Sequence, residues 1–420
     1  MTGLKSVAII ALVLLGFVGC TERVSADTAK PQAADGVRAG ASPSALPKGA
    51  AANNGAKQIS SGDTIKTDQD GINVGLPVHH DNLVVFPLLG SAPAGETHAF
   101  TPLDVAMDAR QLTVTEQGDG GSVPALRVSN QSKEMVFVMT GEIVTGANQD
   151  RMSAHDVLLP PQGRAIKLPV YCVERGRWQG TSQRFSAGKT AGTTTLRKSA
   201  AKKASQGTIW AKVAQKSGAA SVHSATGTMQ AVYNSEEVKQ KIAVYEQALW
   251  RLAADQRQMV GVVAAINGEI VSADLFADHA LLSALWPKLL KALAIDAITA
   301  PPTAHREAPT RAAVSAFFNA GRGGTLNSTE NPGLGNEYLI EAANGVTGTE
   351  LMFDNRIVHL SLFGPDREEG TRAFIPVQSS GSVPRERPLQ RRRGYSKRRS
   401  SVRWNNTGAV SQSLPQLLQQ

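Results

Sequence analysis

The run Tyr171-Cys172-Val173-Glu174-Arg175-Gly176-Arg177-Trp178 places a thiol, a carboxylate, two guanidinium groups and an indole within eight residues. A second polar run, Gly141-Glu142-Ile143-Val144-Thr145-Gly146-Ala147-Asn148-Gln149-Asp150-Arg151, precedes it. Cys172 has three conceivable roles: nucleophile, metal ligand or small buried hydrophobe. A nucleophilic thiol needs a cation or a helix N-terminus to favour its thiolate. No histidine stands in this run, and the Glu174 carboxylate would raise rather than lower a neighbouring thiol pKa. Arg175, Arg177 and Arg151 are the only cations within the two runs that could oppose it.

Strand alternation sharpens the choice. Ile166, Leu168, Val170, Cys172 and Glu174 share one face of an extended segment, and Lys167, Pro169, Tyr171 and Val173 share the other. The first set is the apolar one, so Cys172 is expected on the inward face, with Glu174 at its edge. Polar groups beside buried strands need partners, because each unsatisfied one costs about 1–3 kcal/mol. Glu142, Asn148, Gln149, Arg151 and Glu174 are therefore expected to form an internal polar network or a shallow site for a polar ligand. Gln149, Arg151, Arg177 and Trp178 are the candidate binding residues, with Trp178 as a cover, a stacking platform or a plug at a sheet edge. The competing reading is a hydrolase with Glu142 or Glu174 as general base, Arg151 as anion clamp and Cys172 as a further catalytic candidate.

Other chemistries leave no mark. His79-His80-Asp81 and His155-Asp156 offer ligand types, but no Cys-x-x-Cys or His-x-x-x-His spacing accompanies them, so no metal site is expected. There is no phosphate loop of Walker form and no G-x-S-x-G elbow, and no cofactor is expected.

These residues must be carried by the middle of the chain. Residues 1–20 have the form of an export signal: Lys5, then an apolar run from Val7 to Val18, too short to span a bilayer. Phe17-Val18-Gly19-Cys20 resembles the lipobox of bacterial lipoproteins, with Phe17 where that pattern favours Leu and Val18 where it favours a small residue. The resemblance implies lipidation of Cys20, a membrane as partner and a place in the bacterial cell envelope. Thr21 in place of Asp implies the outer membrane in a Gram-negative cell. An ordinary secreted protein is the competing reading. Residues 21–70 are poor in large apolar side chains and are expected to be a flexible linker. Residues 377–420 are expected to be a disordered tail. Its stretch 385–403 holds nine basic residues against Glu386, so it carries eight of the chain's nine net positive charges. The basic character belongs to the tail, whose expected partners are anionic envelope polymers or lipids. A solvated tail without a partner is the alternative.

Between these ends the fold class is expected to be α+β. Short strands bounded by Gly and Asn turns make residues 71–180 β-rich, with a short helix over 102–110. Residues 181–205, rich in Gly, Ser, Thr and Lys, are expected to be a long surface loop. Residues 206–376 are expected to form an antiparallel sheet with helices on one face, either as a separate unit or within one domain with 71–180. Helices are expected at 234–252, where Asn234-Ser235-Glu236-Glu237 has capping-box form, at 278–295 with a kink at Pro287, and at 309–318. Asn267-Gly268 signals a hairpin.

At the two polar runs the sequence resembles a family of mostly bacterial proteins of unknown function, the ARG and rhodanese-phosphatase superfamily associated protein domain. The resemblance extends from "INVGLPVHHDNLVVFPLLG" at Ile72 to "GEIVSADLFADHALLSALWPKLLKALA" ending at Ala294. Its best positions are Gly141, Glu142, Gly146, Gln149, Arg151, Cys172, Glu174 and Trp178. It implies a candidate site and no particular reaction.

Overall fold

The computed structural model describes residues 71–366, apart from 91–97, 119–120, 123, 179, 181 and 302–306. The expected export signal over 1–20 with its candidate lipidation residue Cys20, the expected linker over 21–70 and the expected tail over 377–420 lie outside the described residues.

The chain is α+β. Its largest sheet has nine antiparallel strands. The order runs β1 (Asn73–Val74), β3 (Leu83–Leu89), β13 (Met259–Ile266), β14 (Glu269–Phe276), β18 (Arg356–Phe363), β17 (Thr347–Phe353), β16 (Asn336–Glu341) and β15 (Thr325–Thr329), with β2 (Val78–His80) paired to β3. The central strands β3 and β13 are apolar on both faces, and period-two alternation sorts their side chains into two cores. Leu83, Val85, Val262 and Ala264 face one core, and Val84, Phe86, Val263 and Ala265 face the other. Helices α5 (Glu236–Leu249) and α7 (His279–Ile298) cover the first face, and α8 (Arg311–Arg322) covers the second through Val314 and Phe318. Helices thus lie on both faces, not one. The all-apolar character of β13 required this, since an exposed face would have left half of it in water.

Two tight turns close two of this sheet's hairpins, β13–β14 and β17–β18. Asn267 and Gly268 have φ of 51° and 77°, and Asp354 and Asn355 have 52° and 57°. These left-handed pairs match the right-handed twist of the flanking strands. Helix α7 begins where Asp278 Oδ1 accepts from the Leu281 N–H at 2.8 Å, and it continues through Pro287. The start of α5 differs from expectation. Ser235 is the N-cap and its side chain makes no capping bond, so no capping box forms.

A second sheet of six strands has the order β12 (Phe185–Ala191), β8 (Glu142–Gly146), β9 (Arg151–Ser153), β11 (Ile166–Cys172), β6 (Ala125–Asn130), β5 (Leu112–Glu116). Its two edges meet: Thr115 bridges to Arg184, and the Glu116 N–H donates to the Gln183 carbonyl at 3.0 Å. The sheet therefore curls towards a barrel. Against it, through a shared core cluster, pack α1 (Leu103–Asp108) and one face of a three-stranded sheet of β4 (Phe100–Pro102), β7 (Met135–Val138) and β10 (Val157–Leu159). The remaining helices are α2 (Thr194–Ala201), α3 (Gln206–Ala219), α4 (Gln230–Asn234) and α6 (Leu252–Asp255). One core cluster joins Phe137, Met139, Ile143 and Met152 to Leu282, Leu289 and Leu293, so the β-rich first half and the second half share packing.

The loop expected over 181–205 is instead strand β12 and helix α2. The glycines that suggested a loop serve close packing. A Cβ on Gly188 would stand 2.5 Å from the Ile143 carbonyl oxygen, at an irregularity in the β12–β8 register. The start of α2 is satisfied from elsewhere in the fold, with the Thr194 N–H donating to Asp296 on α7 at 2.7 Å.

Candidate functional site

Arg151 stands at the centre of the polar cluster because three strands place it there. On β9 it lies opposite Val144 of β8 and opposite Cys172 of β11. The short connection from Gly146 to Asp150 then turns back over it, with Ala147 at φ 42° and Gly146 at φ 108°. Arg177 laces that turn. Its Nη1 donates to the Ala147 carbonyl at 2.6 Å, its Nη2 to Asp150 Oδ1 at 3.2 Å, and its Nε and Nη2 to the two Glu174 oxygens at 3.0 and 2.6 Å. Glu174 also accepts from the Asp150 N–H at 3.0 Å. Burial pushes its carboxyl up, but hydrogen bonds from Arg177, Thr226 and Asp150 outweigh that and hold it below the usual carboxylate range. Glu174 is thus an ionised, fully engaged structural partner.

Cys172 is 0 % exposed. Its thiol lies 2.7 Å from the Glu174 carbonyl oxygen and 3.0 Å from the Gln149 amide oxygen, and it donates to one of them at a time. Burial pushes its pKa up, against smaller lowering effects of the Glu174 carbonyl, Arg151 and Trp210. The Glu174 carboxylate raises it too, but burial is the larger cause. A thiol held neutral and sealed from solvent is a poor nucleophile.

Arg151 itself is 0 % exposed, yet only one edge of its guanidinium is engaged. Nη1 donates to Gln149 Oε1 at 3.0 Å. Among the described residues Nε and Nη2 have no hydrogen-bond partner, and Glu116 Oε1 stands 3.9 Å from Nη2, too far for one. Glu116 Oε2 is also buried without a partner, while Oε1 accepts from the Asn148 N–H at 3.1 Å. Trp178 lies over the guanidinium, 5.6 Å from ring centroid to Cζ, and is 46 % exposed. The fold thus holds, beneath Trp178, a donor edge and, beside it, an acceptor oxygen that none of the described residues satisfies.

The structure brings Gln149, Arg151, Cys172, Glu174, Arg177 and Trp178 together, but Glu142 shares no partner with them. Its carboxylate accepts from the Met139 N–H at 2.8 Å and from Lys288 Nζ at 2.6 Å, and Lys288 also reaches Asp104 at 2.8 Å. Burial lowers the Lys288 pKa, but the two facing carboxylates more than offset this and keep the ammonium charged. Nor does Glu142 hydrogen-bond to Arg151, so the general base and anion clamp are not assembled as a unit.

A second buried network escaped the sequence reading. His359 is sandwiched between carboxylates, Nδ1 at 2.6 Å from Asp156 and Nε2 at 3.2 Å from Asp274, and its ring stacks on Phe276. Arg197 pairs with both Asp274 oxygens and donates to the Thr140 carbonyl at 3.2 Å. Asp156 accepts from the Thr140 N–H at 2.6 Å. Asp274 and His359 each interrupt an apolar strand, and Lys288 interrupts an apolar helix. Those interruptions were the available signal. Among the described residues, no group of three or more His, Cys, Asp or Glu side chains is arranged to hold a metal ion, and no helix is long and apolar enough to cross a membrane.

No curated protein and no solved structure matches the chain. A family model does match, over residues 71–363, which take in both polar runs and all three sheets. The chain belongs to the family of the ARG and Rhodanese-Phosphatase-superfamily-associated Protein domain.

Proposed function

We propose that this chain is an exported cell-envelope lipoprotein whose domain binds a small polar ligand at Arg151, beneath Trp178. The observation that carries the binding reading is the unpartnered Nε/Nη2 edge of a fully buried guanidinium. Those two N–H groups point in parallel and match the two oxygens of a carboxylate or similar group. The unpartnered Glu116 Oε2 beside them calls for a donor on the same ligand. A hydroxylated acid meets both demands. Trp178, exposed and over the guanidinium, is the cover that must swing aside and the surface on which a ring can lie. A hydrolase built on Glu142 or Glu174 is the weaker reading, because each carboxylate is already held by a cation and a backbone N–H.

Glucuronate and glucose test the site, since they differ by one carboxylate. Saturable binding of glucuronate, at least about tenfold tighter than glucose, is expected by calorimetry. Arg151→Lys keeps the charge but not the fork, and is expected to remove that preference. Equal affinity for the two sugars, or an undiminished preference in Arg151→Lys, would reject the reading.

The anchoring rests on the apolar leader ending at Cys20 and on the basic stretch 385–403, which adds attraction to an anionic surface. Cys20→Ser should shift the protein from the membrane to the soluble fraction. Unchanged partition would overturn the lipoprotein reading.

A further inference from the structure

A groove of about 460 Å³ opens between α3 and the segment that follows it. Its wall is one face of α3, where Trp210, Ala214, Ser217 and Gly218 recur at helical spacing, continued by Ser221, His223 and Ser224. Arg175 also lines it, with its guanidinium over the Trp210 ring, 5.6 Å from the centroid. The strand end that carries Arg175 is fixed there. Glu174 bridges to Thr228, and the Gly176 N–H donates to the Thr226 carbonyl at 2.7 Å.

The lining has a definite chemical character. It offers a guanidinium, an imidazole, the hydroxyls of Ser221 and Ser224 and an indole, and no carboxylate. The two glycines and Ala214 leave the floor open to a flat group. The volume is within the range of small-molecule sites. From these features we infer that the groove is a second ligand site, for a small anion that carries a flat aromatic or heterocyclic part. The anionic group pairs with Arg175, and the flat part packs against Trp210 and the small residues of α3. Carboxylate and phosphate share the chemistry that Arg175 recognises. The inference is independent of the Arg151 site, with which the groove shares no lining residue.

The test uses the full chain and three probes of one ring system: 1-naphthyl phosphate, 2-naphthoate and the uncharged 2-naphthol. Calorimetry should show saturable binding of at least one anion, at least about tenfold tighter than 2-naphthol. Whichever anion binds tighter identifies the acid group. Two variants locate the binding. Arg175→Gln, at an exposed position, should cost about tenfold in affinity for the anions and little for 2-naphthol. Gly218→Leu should block the groove. A Cβ at Gly218 meets no atom within 4 Å, so the side chain has room to enter the groove. Leu also favours helix over Gly, so the variant is expected to keep or raise the melting temperature while losing the ligand. Absence of saturable binding of both anions by the wild-type chain would overturn the inference. So would undiminished binding in a folded Gly218→Leu variant, or equal affinity for the anions and 2-naphthol.

Discussion

Raising the pH from 7 to 9 should destabilise this protein through one residue, His359. The ring is 0 % exposed and donates to Asp156 at 2.6 Å and Asp274 at 3.2 Å. Burial alone would lower its pKa, but the two carboxylates outweigh burial and push it up to about 9. In the unfolded chain the same group titrates near 6.5. Between these values the native state holds a proton that the unfolded state has lost, so stability falls as pH rises. The His359 contribution is fully present below about pH 6.5 and disappears as pH climbs through about 9. A gap of about 2.5 pKa units corresponds to on the order of 3 kcal/mol, a sizeable share of a typical domain's stability. Urea unfolding followed by circular dichroism at pH 6, 7, 8 and 9 measures it, and His359→Gln isolates it. The wild-type unfolding free energy should drop across this range with a slope approaching about 1.4 kcal/mol per pH unit. The variant should be less stable at pH 7 and nearly flat thereafter. Should the variant not fold, NMR of the native imidazole gives the same answer, with His359 still protonated at pH 7.5. A flat wild-type profile, an equal slope in the variant, or a native imidazole that titrates near 6.5 would refute the reasoning.

Glu350 should act at lower pH. Burial raises its pKa to about 7 against an ordinary value of 4.5, so its contribution is present below 4.5 and lost as pH rises through 7. Glu350→Gln should flatten the stability profile over that interval, and an unchanged profile would argue against a protonated buried carboxyl. Lys288→Met leaves Glu142 and Asp104 without their shared cation, and should cost about 3–5 kcal/mol in denaturant unfolding. Adding Glu142→Leu should recover part of that loss; strict additivity of the two substitutions would mean the pair is not coupled. Cys172, in a Cys20→Ser background, should react with a maleimide at least about tenfold more slowly in the native chain than in urea. A native rate approaching that of a free thiol would show that the thiol is accessible.

Local pattern determined a good part of this protein. Alternation over Ile166–Cys172 put Cys172 on the inward face, and the structure has it there. Asn267-Gly268 marked a hairpin, and the Leu-rich run from Asp278 marked the long helix α7. The polar residues of the two runs were visible because they stood next to apolar strands. Local pattern misled where glycine had two meanings. Around Gly188 it marks close contact between strands and not a loop, and only the neighbouring strand reveals which. Charge pairing depended wholly on tertiary structure. Lys288 meets Glu142 across 146 positions, and His359 meets Asp156 across 203. Alternation states which face a side chain takes, but not which distant strand or helix will cover that face. Sheet order and register decide that, and they gave Glu142 to Lys288 while leaving one edge of Arg151 without a partner among the described residues.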